Sequence, residues 1–436
     1  MIRSWVRMLD RHWFEPASLR DLAWVRIVLA GSALLFFRHD LAPHLSYVQA
    51  DPGTFQPLPV LKVLMLPLGG WGTRPEATLI HGVWLLSIVS AALATIGFGT
   101  RLAVLALAAS YTFLEAHLYS FGEVHHGPAI LAIMLWVLAV APCGEALSLD
   151  GLRRRIDRSL ARMRFEPITP AEERSEHARW PLRVAQWLLV LVYLSAGLSK
   201  LANGGLQWFN GYTLSFYLLQ DAVRWGSGIA LALAKLPLVN AAISVFAVGF
   251  ELSFVLAVLV PRLAWPYVLA GAGLHTGIYV LQHAPFFQFI AVYAVFIAAL
   301  RETWPLRFRL ASAKPWTVVY DGLCPLCIRS AVILDYLDLR RQLRFVDLEH
   351  EWATAAAIAP NVTVERARAA IHLVSPDGEV CSGFPAFRAL SRQLPLLWPV
   401  LPLFHAPLSG TVGPRLYRLV AASRGRVVCR ADSCAV

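Results

Sequence analysis

Two short stretches carry side chains able to do chemistry. The first is Tyr320-Asp321-Gly322-Leu323-Cys324-Pro325-Leu326-Cys327. Thiols at i and i+3 share one side of a helical turn. Pro325 suits the first helical position, where a missing N–H would have had no partner anyway. A cysteine at a helix N-terminus is favoured as the thiolate, and a second thiol within reach can resolve the mixed disulfide that it forms. Cys324 and Cys327 are therefore a candidate redox pair, with Tyr320 and Asp321 leading into the turn. Other readings stay open. Cys324, Cys327, Cys429 and Cys434 have the ligand type for zinc. Cys429 and Cys434 also read as a tail pair exchanging with the main site, and the motif as an idle relic. Cys143 reads as a packed thiol.

The second stretch runs from Tyr193 to Gly211, where an apolar run over 184–198 ends in Lys200. A lysine at the end of a membrane span is ordinarily an anchor, its stem in lipid and its ammonium among headgroups. Two features point elsewhere. Ser195, Ala196, Gly197 and Ser199 line the approach, as in a helix packed on other helices. The aromatic segment that begins at Trp208 returns to the membrane and caps a cavity. A lysine shielded in that way can give up its proton and serve as a base. His125-His126-Gly127-Pro128 stands at the entry to another apolar run, and Glu251 and His275 lie inside two more. Polar groups inside spans mark functional cavities by default. Arg26, inside the first run, needs a partner, and a structural pair with Glu251 is one alternative. His117, His125 and His126 have no carboxylate spacing to support a metal, and no metal is expected.

The residues Tyr193-x-x-Ala196-Gly197-x-x-Lys200-Leu201, followed closely by Trp208 and Gly211, resemble the HTTM membrane domain, best known from the vitamin K-dependent gamma-carboxylase. The resemblance runs through about the first 300 residues, mostly as a hydropathy pattern. It implies a helical bundle in which Lys200 deprotonates a reduced quinone and His126 assists it. Trp208, Glu251, His275 and His125 would then face the substrate. The carboxylase's large soluble domain has no counterpart, so protein gamma-carboxylation is not expected. The Asp321-x-x-Cys324-x-x-Cys327 signature resembles the DCC family of thiol-disulfide oxidoreductases, as do Pro376-Asp377-Gly378, Ala386-Phe387-Arg388 and Leu416-Tyr417-Arg418. That implies a thioredoxin-like domain exchanging with a thiol or disulfide partner, either a protein or a small thiol, with Tyr320 beside the substrate. One departure stands out: no proline precedes the strand at Ile371, where thioredoxins set a cis-proline opposite the cysteines.

The rest of the chain must position these groups. It has 436 residues, 57% hydrophobic and 15% charged, with a mean hydropathy of +0.55. A soluble protein is rarely so apolar. Apolar runs over 19–37, 78–97, 101–119, 129–141, 184–200, 239–260, 265–281 and 286–300 predict about eight spans. The net charge of +11, from 39 basic and 28 acidic residues, sits mostly beside these runs. The positive-inside rule accounts for it, and with no basic–aromatic groove a nucleic-acid partner is excluded. The polar linker over 151–179 opens with Arg153-Arg154-Arg155 and is expected in the cytoplasm, with both termini. Lys200 then falls near the far face. No secretory signal peptide is evident. Six cysteines are too few for a disulfide scaffold.

The expected fold is an all-α polytopic membrane bundle over 1–311, in contact with membrane lipids, joined to an α/β thioredoxin-like domain over 312–436. The expected location is a bacterial inner membrane, and the oligomeric state is open. Within the second domain the pattern predicts strands at 317–320, 343–347, 371–374 and 379–381. Helices are predicted at 328–339, 364–370, 386–393 and 415–423. Ser375-Pro376-Asp377-Gly378 reads as a hairpin turn.

Overall fold

The computed structural model describes residues 2–37, 41–122, 126–303, 315–360, 362–423, 428–430 and 433–435. The chain divides into two compact units. One comprises Met1–Ser148 with Glu173–Leu306, the other Leu149–Glu172 with Arg307–Val436.

The first unit is built of helices. They stand at each position where an apolar run was expected: Leu19–Phe37, Ala77–Ile96, Thr100–Tyr119, His126–Val140, Glu176–Gly204, Pro237–Ser253, Ala264–Gln282 and Phe287–Val292. Among the described residues, three are long and apolar enough to cross a membrane: Ala77–Ile96, Thr100–Tyr119 and the helix that begins at Glu176. A fourth is added if Gly228–Ala234 and Pro237–Ser253, bent by 97°, count as one span. The shortfall from eight has visible causes. Leu19–Phe37 carries Arg20, Asp21 and Arg26, His126–Val140 has only 15 residues, and the last run breaks into a 3-10 turn at Tyr293–Phe296. This make-up is consistent with a membrane protein.

Arg26 does not pair with Glu251. It is fully buried and donates to the carbonyls of Cys143 (2.5 Å) and Leu147 (2.5 Å). It thereby fastens the turn after His126–Val140 to the first long helix. Gly97, at φ 71°, ends the Ala77–Ile96 helix beneath this turn. A Cβ there would lie 2.7 Å from the Ser148 backbone, so the approach requires glycine. Cys143 is buried, as a packed thiol should be.

The second unit holds a four-stranded sheet: β1 (Trp316–Tyr320), β2 (Leu343–Asp347), β3 (His372–Val374) and β4 (Val380–Ser382). The spatial order is β2-β1-β3-β4. β1 and β2 run parallel, whereas β3 is antiparallel to both β1 and β4. Parallel neighbours need a crossover, and the helix Pro325–Leu337 supplies it. It packs on the sheet through Ile328, Ala331 and Val332, all fully buried. Gly378, at φ 88°, closes the β3–β4 hairpin. Helices Phe384–Gln393 and Ser409–Ala422 follow.

Residues 149–172, which take in most of the polar linker expected over 151–179, belong to this second unit. They form the helix Leu149–Ala161, whose Leu152, Ile156 and Leu160 pack against the core. Arg155 pairs with Asp335 at 2.7 Å on the crossover helix. Phe165 then inserts edge-on between Tyr320 (5.7 Å) and Phe345 (4.9 Å). Phe165→Ala should destabilise this unit by about 3 kcal/mol, the usual cost of emptying a buried aromatic site. Opening of the unit, read as alkylation of Cys324 and Cys327 in native buffer, should become roughly a hundredfold faster. An unchanged rate would show that the segment is only draped on the domain.

Candidate functional site

β1 delivers Tyr320 and Asp321 to the top of the sheet, where a tight turn hands over to the crossover helix. The Asp321 side chain accepts the Leu323 N–H (3.0 Å), and its carbonyl accepts the Cys324 N–H (3.2 Å). Its visible work is thus to shape the turn. Cys324 occupies the helix N-cap with extended backbone (φ −102°, ψ 113°), and Pro325 opens the helix. The Cys324 carbonyl accepts the first helical N–H, from Ile328 (3.0 Å). The two cysteines are not joined in a disulfide, and they are nearly covered, Cys324 at 1% exposure and Cys327 at 3%.

An apolar cavity of about 270 Å³ lies against this turn. Its wall includes Cys327, Ile371, Phe384, Phe387, Leu416 and Tyr417, and Cys324 is not part of it. The Tyr417 hydroxyl accepts the Ile371 N–H at 3.2 Å. That donor stands at the start of β3, where the sequence lacked the expected proline. Of the two thiols, the one that lines this apolar cavity is Cys327.

Asp347 escaped the sequence reading. Parallel register places it level with Tyr320. Its carboxylate crowds over Gly322, where a Cβ would lie 2.2 Å from Oδ2, so only glycine admits it. It also meets His350 Nδ1 at 2.8 Å. Burial, and then the Asp347 carboxylate, push the Tyr320 phenol well above its usual range. The visible signal was the matching acidic residue at the C-terminal ends of two strands.

In the first unit the structure brings several of the expected residues together. Tyr193, Gly197 and Lys200 follow one face of the helix Glu176–Gly204. Gly197 lets that helix approach Pro237–Ser253: a Cβ would lie 2.9 Å from Leu252 and 3.2 Å from Glu251. Lys200 Nζ donates to both Glu251 oxygens, at 2.6 and 2.9 Å. The Trp208 ring lies 5.6 Å from the same ammonium. Lys200 thus pairs with Glu251 beside an indole.

Further along the same helix, the Tyr193 hydroxyl meets His275 Nε2 (2.8 Å) and the Tyr293 hydroxyl. Gly271, one turn before His275, makes room for Tyr293, whose hydroxyl would overlap any Cβ there. Tyr293 was not anticipated from sequence. Nor was His44, whose ring lies 6.2 Å from that of buried His117. His125 lies outside the described residues. His126 begins its helix, but its side chain is outside them, as are those of Cys429 and Cys434. Among the described residues no cluster of His, Cys, Asp and Glu is arranged to hold a metal.

Residues 318–430 match the family model described as DCC1-like thiol-disulfide oxidoreductase. No curated protein and no solved structure matches the chain, and the likeness of the first 300 or so residues to the HTTM domain is not confirmed by these comparisons. The match covers the end of β1, the cysteine turn, the crossover helix and the cavity wall, so residues 318–430 are similar to a DCC1-like thiol-disulfide oxidoreductase domain.

Proposed function

We propose that Cys324 and Cys327 exchange electrons with an apolar disulfide that enters through the cavity beside Cys327. The observation that carries this reading is the joint placement of two unbridged cysteines at a helix N-terminus and an apolar cavity against Cys327. The sheet order and the crossover helix support a thioredoxin-like assignment. In the forward direction the Cys324 thiolate attacks one substrate sulfur and expels the other as a thiolate. The Cys327 thiol loses its proton to solvent and attacks Cys324 Sγ, releasing the second substrate thiolate. Two protein thiols become one disulfide, and one substrate disulfide becomes two thiols. Tyr320 and Asp321 hold the turn in place, and the partner is a protein or small molecule with an apolar group next to its sulfur.

The full chain in detergent, reduced and then freed of reductant, tests this. On mixing with an apolar aryl disulfide it should release about two thiols per chain more than the variant with both Cys324 and Cys327 changed to serine. Equal release from both proteins would sink the assignment.

A second reading concerns the first unit. Lys200, Glu251, Trp208, Tyr193, His275 and Tyr293 form a polar centre among apolar helices, and such centres mark functional cavities. We infer a lipid-soluble, quinone-like substrate for it, with Lys200 handling a proton passed to Glu251 and with His126 and His125 at its edge. The same reading keeps the chain as a bundle of about eight spans in a bacterial inner membrane, with both termini cytoplasmic.

A further inference from the structure

We infer that the second unit carries an anion-binding site, separate from the dithiol, formed by Arg388, Arg392 and His405 at the N-terminus of the helix Ser409–Ala422. The inference is independent of the redox reading. A second cavity, of about 350 Å³, lies between helices Phe384–Gln393 and Ser409–Ala422. Its wall includes Arg388, Arg392, His405 and Gly410. The two arginines, one helical turn apart, converge on His405 from one side. Arg388 Nε donates to His405 Nδ1 at 3.1 Å, and an Arg392 nitrogen lies 3.3 Å from the same atom. The imidazole therefore acts as an acceptor that holds two guanidinium groups side by side. Among the described residues no carboxylate forms an ion pair with either arginine.

Like charges held together in a concave wall repel one another, and the arrangement is stabilised when an anion enters. The helix end adds to this. Ser409–Ala422 has no side-chain cap; the N–H groups of Ser409, Thr411 and Val412 donate to the Ala406 and Leu408 carbonyls, and its first turn, with the positive end of the helix dipole, lines the cavity through Gly410. Gly410 leaves the approach open, since a Cβ there would meet nothing within 4 Å. Forked guanidinium donors beside the positive end of a helix are the chemistry that recognises a tetrahedral phosphate oxyanion. A free phosphate and the phosphate of an anionic lipid headgroup both present it.

The test uses the full chain in nanodiscs of zwitterionic lipid, titrated with inorganic phosphate at constant ionic strength. Saturable binding, followed by phosphorus NMR line broadening, is expected. It should weaken by about tenfold or more in the variant with Arg388→Gln and Arg392→Gln, the loss expected for charge-assisted hydrogen bonds. Arg366→Gln, an exposed arginine elsewhere in the unit, should leave it unchanged. If phosphate does not bind but nanodiscs with anionic lipid raise the thermal midpoint of wild type and not of the double variant, the anion is a headgroup. Should the double variant misfold, exposed Arg392 replaced alone by glutamine must still weaken whichever binding is seen. Absence of binding in both arms, or equal binding by wild type and the arginine variants, overturns the inference.

Discussion

Cys327→Ser should leave the full chain arrested as a mixed disulfide through Cys324 after one encounter with an apolar disulfide. Cys324 stands at the helix N-cap, where the helix end favours the thiolate. Without Cys327 the resolving thiol is gone, so the adduct accumulates. Cys324→Ser removes the attacking sulfur instead, and turnover should fall by roughly three orders of magnitude or more, the scale for losing a nucleophile. Mass spectrometry of the quenched protein reads both outcomes. Because Cys327 and not Cys324 lines the cavity, the experiment also tests the order of events. Adduct collecting on Cys327 in Cys324→Ser, and none on Cys324 in Cys327→Ser, would reverse the two roles. The cavity adds a second expectation: apolar alkylating reagents should react faster than charged ones of equal intrinsic reactivity, since the thiols are nearly covered and Cys327 lines an apolar cavity.

Glu251→Gln should destabilise the first unit by about 3 kcal/mol or more, because it leaves a mostly buried ammonium without its counter-charge. The Lys200 side chain is 26% exposed and that of Glu251 10%, so solvent can offset part of this cost but not most of it. Changing both residues together, Lys200→Met with Glu251→Leu, should recover most of the loss, since neither charge then remains buried alone. Thermal unfolding in one detergent provides the comparison. A double variant no more stable than Glu251→Gln would show that the pair does not hold these helices. Lys200→Arg separates structure from chemistry. Its fork can still meet both Glu251 oxygens, so stability should survive, whereas proton transfer should not, because arginine keeps its proton. If Lys200→Arg lost stability as Glu251→Gln does, packing around the ammonium and Trp208 would be the dominant constraint.

Local signals made the dithiol domain readable from its sequence alone. Pro325 after Cys324 marks a helix start, Ser375-Pro376-Asp377-Gly378 marks a hairpin, and short apolar, β-branched and aromatic runs mark β1 and β2. Each of these depends on residues within a few positions of one another, where backbone sterics and capping decide. The apolar runs were legible for the same reason, since hydropathy is a sum over neighbours. Whether each run is a straight span was not, because Arg26 within one and the 3-10 turn within another are accommodated by distant groups. Tertiary structure alone decided the partners. Leu152, Ile156 and Leu160 recur at helical spacing inside an arginine-rich segment, which shows that a face is to be buried but not on what. Lys200 and Glu251 lie 51 residues apart, and no periodicity joins them. The same holds for Tyr320 with Asp347 and for Arg388 with His405. Side-chain pairing across elements is set by packing and by the cost of burying unmatched polar groups, and these act only once the chain has closed on itself.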